Sequence, residues 1–312
     1  MADATTTAPQ ATTPTPAPAA PRRSKGLSEK RLAFLMVSPS MALIALVAAY
    51  PIGYGIWLSL HEYSVRVAGL SRWAGLKNYS TALGDSEWWA AFIHTMIFAA
   101  ASVSLELVLG LGMALCMHAA FRGQGLLRTT VLVPWAVLTV VTAVMWRTMF
   151  QSPQGFVNNL LGTQTVWLGD EPYALIVIIL ADVWKTAPFM ALLILAGLQV
   201  IPTEIYEAAK VDGATAWQRF ARITLPLLTP AILVALIFRT LDALRIFDLP
   251  YVLTNGKNGT STLSTIAQET FASNRIYGLG SAMAVLTFIV VMIVSFIYIR
   301  TVGGNIRGLA EE

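Results

Sequence analysis

Asp182, Lys185, Thr186 and Phe189 stand at i, i+3, i+4 and i+7 within an otherwise apolar stretch, and Arg239, Asp242, Ala243 and Ile246 repeat that spacing further along. Such a period places each set on one face of a helix. An ionisable side chain inside a bilayer costs about 2.5 to 3.5 kcal/mol on insertion scales, so these groups should face a cavity or a partner. Two kinds of chemistry fit them. The carboxylates of Asp182 and Asp242 and the hydroxyl of Thr186 offer hydrogen bonds to a polar solute, with Phe189 and Trp184 supplying an apolar surface. Alternatively the charges neutralise one another along each helix, Asp182 with Lys185, and Asp242 with Arg239 or Arg245. The residues leave both readings open, because a paired carboxylate keeps a lone pair for a hydroxyl.

Other chemistry finds no footing in the sequence. His61, His94 and His118 are scattered, no H-E-x-x-H or G-x-S-x-G motif occurs, and no Cys/His cluster is spaced to hold zinc. No G-x-x-x-x-G-K-[ST] phosphate loop is present, and Gly110 and Gly112 read as small-residue helix packing. Cys116 is the one cysteine, which excludes an intrachain disulfide, and its apolar surroundings predict a packing role. The net charge of +4 comes from short basic clusters between apolar runs rather than from one basic face, so nucleic acid is not expected as a partner.

The elements that must position the charged faces are membrane helices. Of 312 residues 56% are apolar and only 12% charged, half the roughly 25% of a soluble domain. The fold class expected is therefore an all-α membrane protein with six transmembrane helices. Apolar stretches at about 32–60, 88–117, 129–146, 172–201, 223–247 and 276–299 each approach or exceed the roughly 20 residues that cross a bilayer. Residues 2–21 are almost wholly Ala, Thr and Pro and predict a disordered tail. With its basic flank this forms a segment 1–31, followed by a membrane domain at 32–302 and a C-terminal tail at 303–312. The long apolar run directly after the basic flank is retained as a helix rather than cleaved as a signal peptide. With both termini cytoplasmic, inner segments hold twelve Lys and Arg and outer segments six, so the positive-inside rule favours that orientation. Trp88, Trp89 and Trp146 fall near span ends, where an indole buries its ring and keeps its N–H in water.

The segment 201–226, between the fourth and fifth stretches, has a composition of its own. Thr203 suggests a helix N-cap, Glu204 and Glu207 suit the first turns, and Gly213 permits a sharp turn into a second short helix bearing Trp217, Arg219, Phe220 and Arg222. Pro226 then fits the first turn of the fifth span. An amphipathic helix lying on the membrane would give a similar pattern. However, Glu207, Ala208 and Ala209, then Gly213, then Ile223, Leu225 and Pro226 resemble the EAA loop of the permease subunits of bacterial ABC importers, with every fixed position present. The run from Leu244 to Gly256, with Ser261 and Thr262, is similar to the segment after the fifth core helix in the carbohydrate branch of that family. It departs from the usual Gly-Gly-Pro at Gly256, Lys257 and Asn258.

That resemblance implies a type I importer fold and a heteromeric complex. Its expected members are a second homologous permease, two cytoplasmic ATP-binding subunits, and an extracytoplasmic sugar-binding protein or lipoprotein. Membrane lipid surrounds the spans, and ATP and Mg are expected only in the partner ATPase subunits, with no cofactor in this chain. It assigns Glu207, Ala208, Ala209, Asp212 and Gly213 to ATPase coupling. It also assigns the faces of the fourth and fifth spans to a midplane path for a di- or oligosaccharide, trehalose among the candidates. Glu106, a solitary charge in the second span, is expected to contact the partner permease. An ion-coupled secondary transporter would also explain intramembrane carboxylates, but such folds show repeated halves and broken helices, and no repeat is visible here.

Overall fold

The computed structural model describes residues 28–64, 71–119, 122–169 and 171–310. The expected disordered tail therefore falls almost wholly outside the described residues. The chain divides into two compact units within its first helix, α1 (Glu29–Ser59), one unit ending at Ile52 and the other beginning at Gly53. In its described part the first unit is the run of α1 that starts at Glu29. It is uncharged from Leu32 onward and keeps its helix through Pro39 and Pro51.

The second unit opens with the last turns of α1 and a minimal antiparallel pair, β1 (His61–Glu62) and β2 (Arg72–Trp73). α2 (Lys77–Leu83) follows, and its Lys77 donates to Glu62 Oε1 at 2.6 Å. That bond and the neighbouring positive charge hold the Glu62 carboxyl below the usual carboxylate range. α3 (Ser86–His118) begins where the Asp85 side chain accepts from Glu87 N, a cap for an otherwise orphan donor. Beyond it lie α4 (Gln124–Ala136), α5 (Thr139–Met149), α6 (Phe156–Leu161) and α7 (Tyr173–Leu198). Next come α8 (Thr203–Val211), α9 (Ala216–Arg219), a π turn (Phe220–Thr224) and α10 (Leu225–Ala243). The chain closes with α11 (Asp248–Thr254), α12 (Leu263–Gln268), a second π turn (Glu269–Ser273) and α13 (Tyr277–Ala310), which runs on past its apolar portion.

α3, α7 and α10 build the core, with Phe98, Met117, Ile178, Met190, Ile194 and Leu228 wholly buried among them. α3 and α7 approach closely at Gly110: a Cβ there would sit 2.7 Å from Met190 Cγ and 3.2 Å from Ala191 N. The small-residue reading thus holds at Gly110, whereas Gly112 has open space around it. A smaller cluster of Trp88, Leu263, Ile266 and Met283 seats α12 and α13 against the start of α3.

Among the described residues five helices are long and apolar enough to cross a membrane, and a bent pair makes a sixth if its two halves count as one span. That pair corrects the unbroken third span expected at 129–146. α4 and α5 meet at a bend of 87°. Pro134 removes a donor from the last turn of α4, and Val137 and Leu138 then take extended backbone angles, so the helix cannot continue. The fifth span is longer than expected: Ala216–Ala243 is one run of 28 residues through the π turn, with Pro226 in the first turn of its α10 portion. Two further expectations fail. Trp88 and Trp146 bury their indole Nε1 without a partner among the described residues, and Trp89 gives its proton to the Leu83 carbonyl at 2.9 Å, because packing against neighbouring rings outweighs access to water. Cys116 is exposed on α3 rather than packed.

Candidate functional site

The charged faces converge, and the pairing runs across helices as well as along α10. Arg239 on α10 is 2% exposed and forms the hub. Its Nε donates to Glu106 Oε2 at 2.5 Å and its Nη2 to Glu106 Oε1 at 2.7 Å, a two-pronged grip on α3. Nη2 also donates to Asp182 Oδ2 on α7 at 2.9 Å, and Nη1 to Asp242 Oδ2 at 2.5 Å. Only arginine offers a planar fork of five donors that serves three carboxylates at once. Thr186 Oγ1 lies 2.7 Å from Glu106 Oε1 and 2.6 Å from the Asp182 carbonyl, its one proton serving either.

This overturns two expectations. Glu106 is not solitary: it is fully buried inside this chain, and so not free for a second permease. Asp182 pairs with Arg239 instead of Lys185. Of the two partners expected for Asp242, Arg239 is the one it takes, along α10, whereas Arg245 donates to the Leu241 carbonyl at 3.2 Å. Lys185 turns to backbone oxygens, Val137 at 2.7 Å and Trp135 at 3.4 Å.

In front of the cluster lies a cavity of about 160 Å³. Of the ten residues expected along a substrate path, Asp182, Lys185, Thr186, Asp242, Ala243, Arg245 and Ile246 line it. Arg239 stands behind the wall. Phe189 stacks on Trp135 (5.7 Å, 13°) and Trp184 tilts against Trp146 (6.3 Å), so neither ring lines the cavity. Thr139, Phe247, Asp248 and Leu249 complete the lining and were missed. Asp248 sits just past the expected end of the fifth span, a legible signal, whereas Thr139 enters only because of the unforeseen bend. The Asp242 side chain is 69% exposed although Oδ2 is held by Arg239, leaving Oδ1 for a ligand hydroxyl.

The second candidate site is the α8–α9 loop. Thr203 is the first helical residue rather than the cap, and Pro202 occupies the cap position with no side-chain bond. Glu207 and Ala208 are exposed and Ala209 is half-buried. Gly213 turns the chain at φ +77°, a conformation that a side chain strains. Thr215 then starts α9 with a capping box, accepting from Gln218 N while the Gln218 side chain accepts from Thr215 N. Tyr206 OH and Thr224 Oγ1 lie 3.0 Å apart and tie α8 to the π turn. Asp212, Gly213, Ala214, Gln218, Arg222 and Ile223 border a concavity of about 300 Å³. Beside it Val211 is 88% and Trp217 73% exposed.

A helical membrane bundle with a charged cavity among its core spans, and an exposed helical loop at the foot of one of them, is the architecture of a transport permease. The chain belongs to the family of binding-protein-dependent transport system inner membrane components, matched over residues 106–307, from the buried glutamate through the loop and into the last helix. It is 44% identical over 287 residues to the trehalose transport system permease protein SugA of Mycobacterium tuberculosis, covering 92% of this chain and 94% of that one. It is 43% identical over 277 residues to the trehalose/maltose transport system permease protein MalF of Thermococcus litoralis, covering 87% and 94%. Among solved structures, a chain of a bacterial alginate ABC transporter in complex with an alginate pentasaccharide-bound periplasmic protein shares the fold. Its TM-score is 0.76 at 22% identity, with 86% of this chain and 93% of that chain covered.

Proposed function

We propose that this chain is a permease subunit of an ATP-driven importer that carries a sugar, a di- or oligosaccharide of the trehalose or maltose kind, into the cell by alternating access. One observation carries the reading. The exposed loop and the cavity stand at opposite ends of the Ala216–Ala243 run, whose 28 residues make a rod of about 40 Å. Asp212, Gly213 and Ala214 lie just before its foot, and Arg239 and Asp242 lie near its head. A push on the loop therefore reaches the cavity through covalent helix. In this reading α8 sits in a groove of an ATP-binding subunit, with Glu207, Ala208, Ala209, Asp212 and Gly213 in contact. Val211 and Trp217 are covered there too.

The complex then comprises a second homologous permease, two cytoplasmic ATPase subunits that hold ATP and Mg, and an extracytoplasmic sugar-binding protein, with the termini and the α8–α9 loop cytoplasmic. The chain itself performs no catalysis. The names of the two relatives support a sugar as cargo, and the lining supports it chemically, since Asp242, Thr186 and Asp248 accept from hydroxyls. An ion-coupled transporter gains a broken span from the structure, but two of its span carboxylates, Glu106 and Asp182, are committed to Arg239.

The test is Asp242→Asn in the reconstituted complex. It keeps the shape and one acceptor but weakens the bond to a sugar hydroxyl by about 1 to 2 kcal/mol, so the KM for sugar should rise about tenfold with assembly intact. An unchanged KM removes Asp242 from the sugar path.

A further inference from the structure

Lys185 lines the cavity beside Asp182, Asp242 and Asp248, yet among the described residues it forms no ion pair within 4.0 Å. Its ammonium goes to the Val137 carbonyl at 2.7 Å and the Trp135 carbonyl at 3.4 Å, the oxygens at the end of α4 where the third span bends by 87°. A helix end leaves its last carbonyls without partners. Within a membrane, interrupted backbone persists only where other groups satisfy it, and a cation is the charge that a helix C-terminus favours. One turn along α7 from Lys185, Phe189 stacks on Trp135. Two side chains from one face of an unbroken helix thus hold the end of α4.

Beyond the bend, α5 begins with Thr139, which lines the cavity, and Arg147 of α5 donates to the Val252 carbonyl of α11 at 3.3 Å. α11 itself follows the end of α10 after a short break. Two short helices packed on each other therefore stand beyond two interruptions that meet at the same cavity. The placement of Thr139 in the cavity that Asp242 also lines depends on the angle at which α5 leaves α4.

We propose that Lys185 is a positioning residue that fixes the bend of the third span by donating to the carbonyls it exposes, and so sets the width of the cavity between Thr139 and Asp242. This holds whichever solute is carried and is tested without transport. Spin labels are placed at Val133 and Val144, exposed on either side of the bend, in the full chain with Cys116→Ser, in lipid nanodiscs. The distance distribution is then read by pulsed electron resonance. The parent and Lys185→Arg, which keeps a charged donor, should give one narrow distance. Lys185→Met should lose it, with a wider and shifted distribution. Lys185→Gln serves where the methionine variant does not assemble: its shorter uncharged amide falls short of Val137, and the same widening is expected. A parent-like distribution in Lys185→Met or Lys185→Gln overturns the proposal. Equal widening in Lys185→Arg also overturns it, because side-chain packing rather than donation to the carbonyls would then hold the bend.

Discussion

Arg239→Met should cut the yield of folded protein sharply, more than any other single change in the membrane domain. Glu106 is fully buried and the Asp182 side chain is 8% exposed, and both carboxylates have this one guanidinium as their cationic partner. Removing one member of a buried pair leaves an uncompensated charge and costs about 3 to 5 kcal/mol. The same reasoning predicts rescue. Adding Glu106→Gln and Asp182→Asn to Arg239→Met removes the stranded charges, and yield and thermal midpoint in detergent should recover most of the loss. Arg245→Gln should leave yield near the parent, since among the described residues that side chain bonds only the Leu241 carbonyl of the preceding helix. Parent-like yield for Arg239→Met alone, or no recovery in the triple variant, would show that the cluster does not hold α3, α7 and α10 together.

Glu207→Lys should leave the protein in the membrane at normal levels and abolish uptake, with a loss of tenfold or more. The residue is exposed on α8 and its side chain forms no hydrogen bond or ion pair among the described residues, so reversing its charge acts on whatever docks there. Gly213→Val should act through the backbone instead. A φ of +77° strains a β-branched residue by about 1 to 2 kcal/mol, and the turn that presents Asp212 and Ala214 would open. Both variants are checked by uptake and sugar-stimulated ATP hydrolysis in the assembled complex. Normal values for both quantities in Glu207→Lys would remove the loop from the coupling path.

Much of this arrangement is written locally. The apolar runs exposed the spans because lipid demands uninterrupted apolar length, and helical spacing put Asp182 with Lys185 and Thr186 on one face, where the cavity lies. The loop was legible because its polar and small residues break the hydrophobic pattern. What the sequence hid is long-range. Glu106 and Arg239 are 133 positions apart, and nothing local marks them as partners. The i, i+3 spacing correctly paired Asp242 with Arg239 along α10, but it also suggested Asp182 with Lys185, a pairing that the forked side chain of Arg239 overrode. The bend at Val137 was hidden because an apolar run looks the same whether straight or broken, and Pro134 occurs in a class of helices that often tolerates proline. The missing cavity residue Thr139 follows from that single omission.

Accumulation of radiolabelled trehalose or maltose in proteoliposomes bearing the chain with its partner permease, ATPase subunits and sugar-binding protein tests the central claim most directly. Uptake should require internal ATP and the external binding protein, and should persist when ionophores collapse every ion gradient. Uptake that runs without ATP and stops with the ionophores would contradict the account and return the carboxylates of the spans to an ion-coupled carrier.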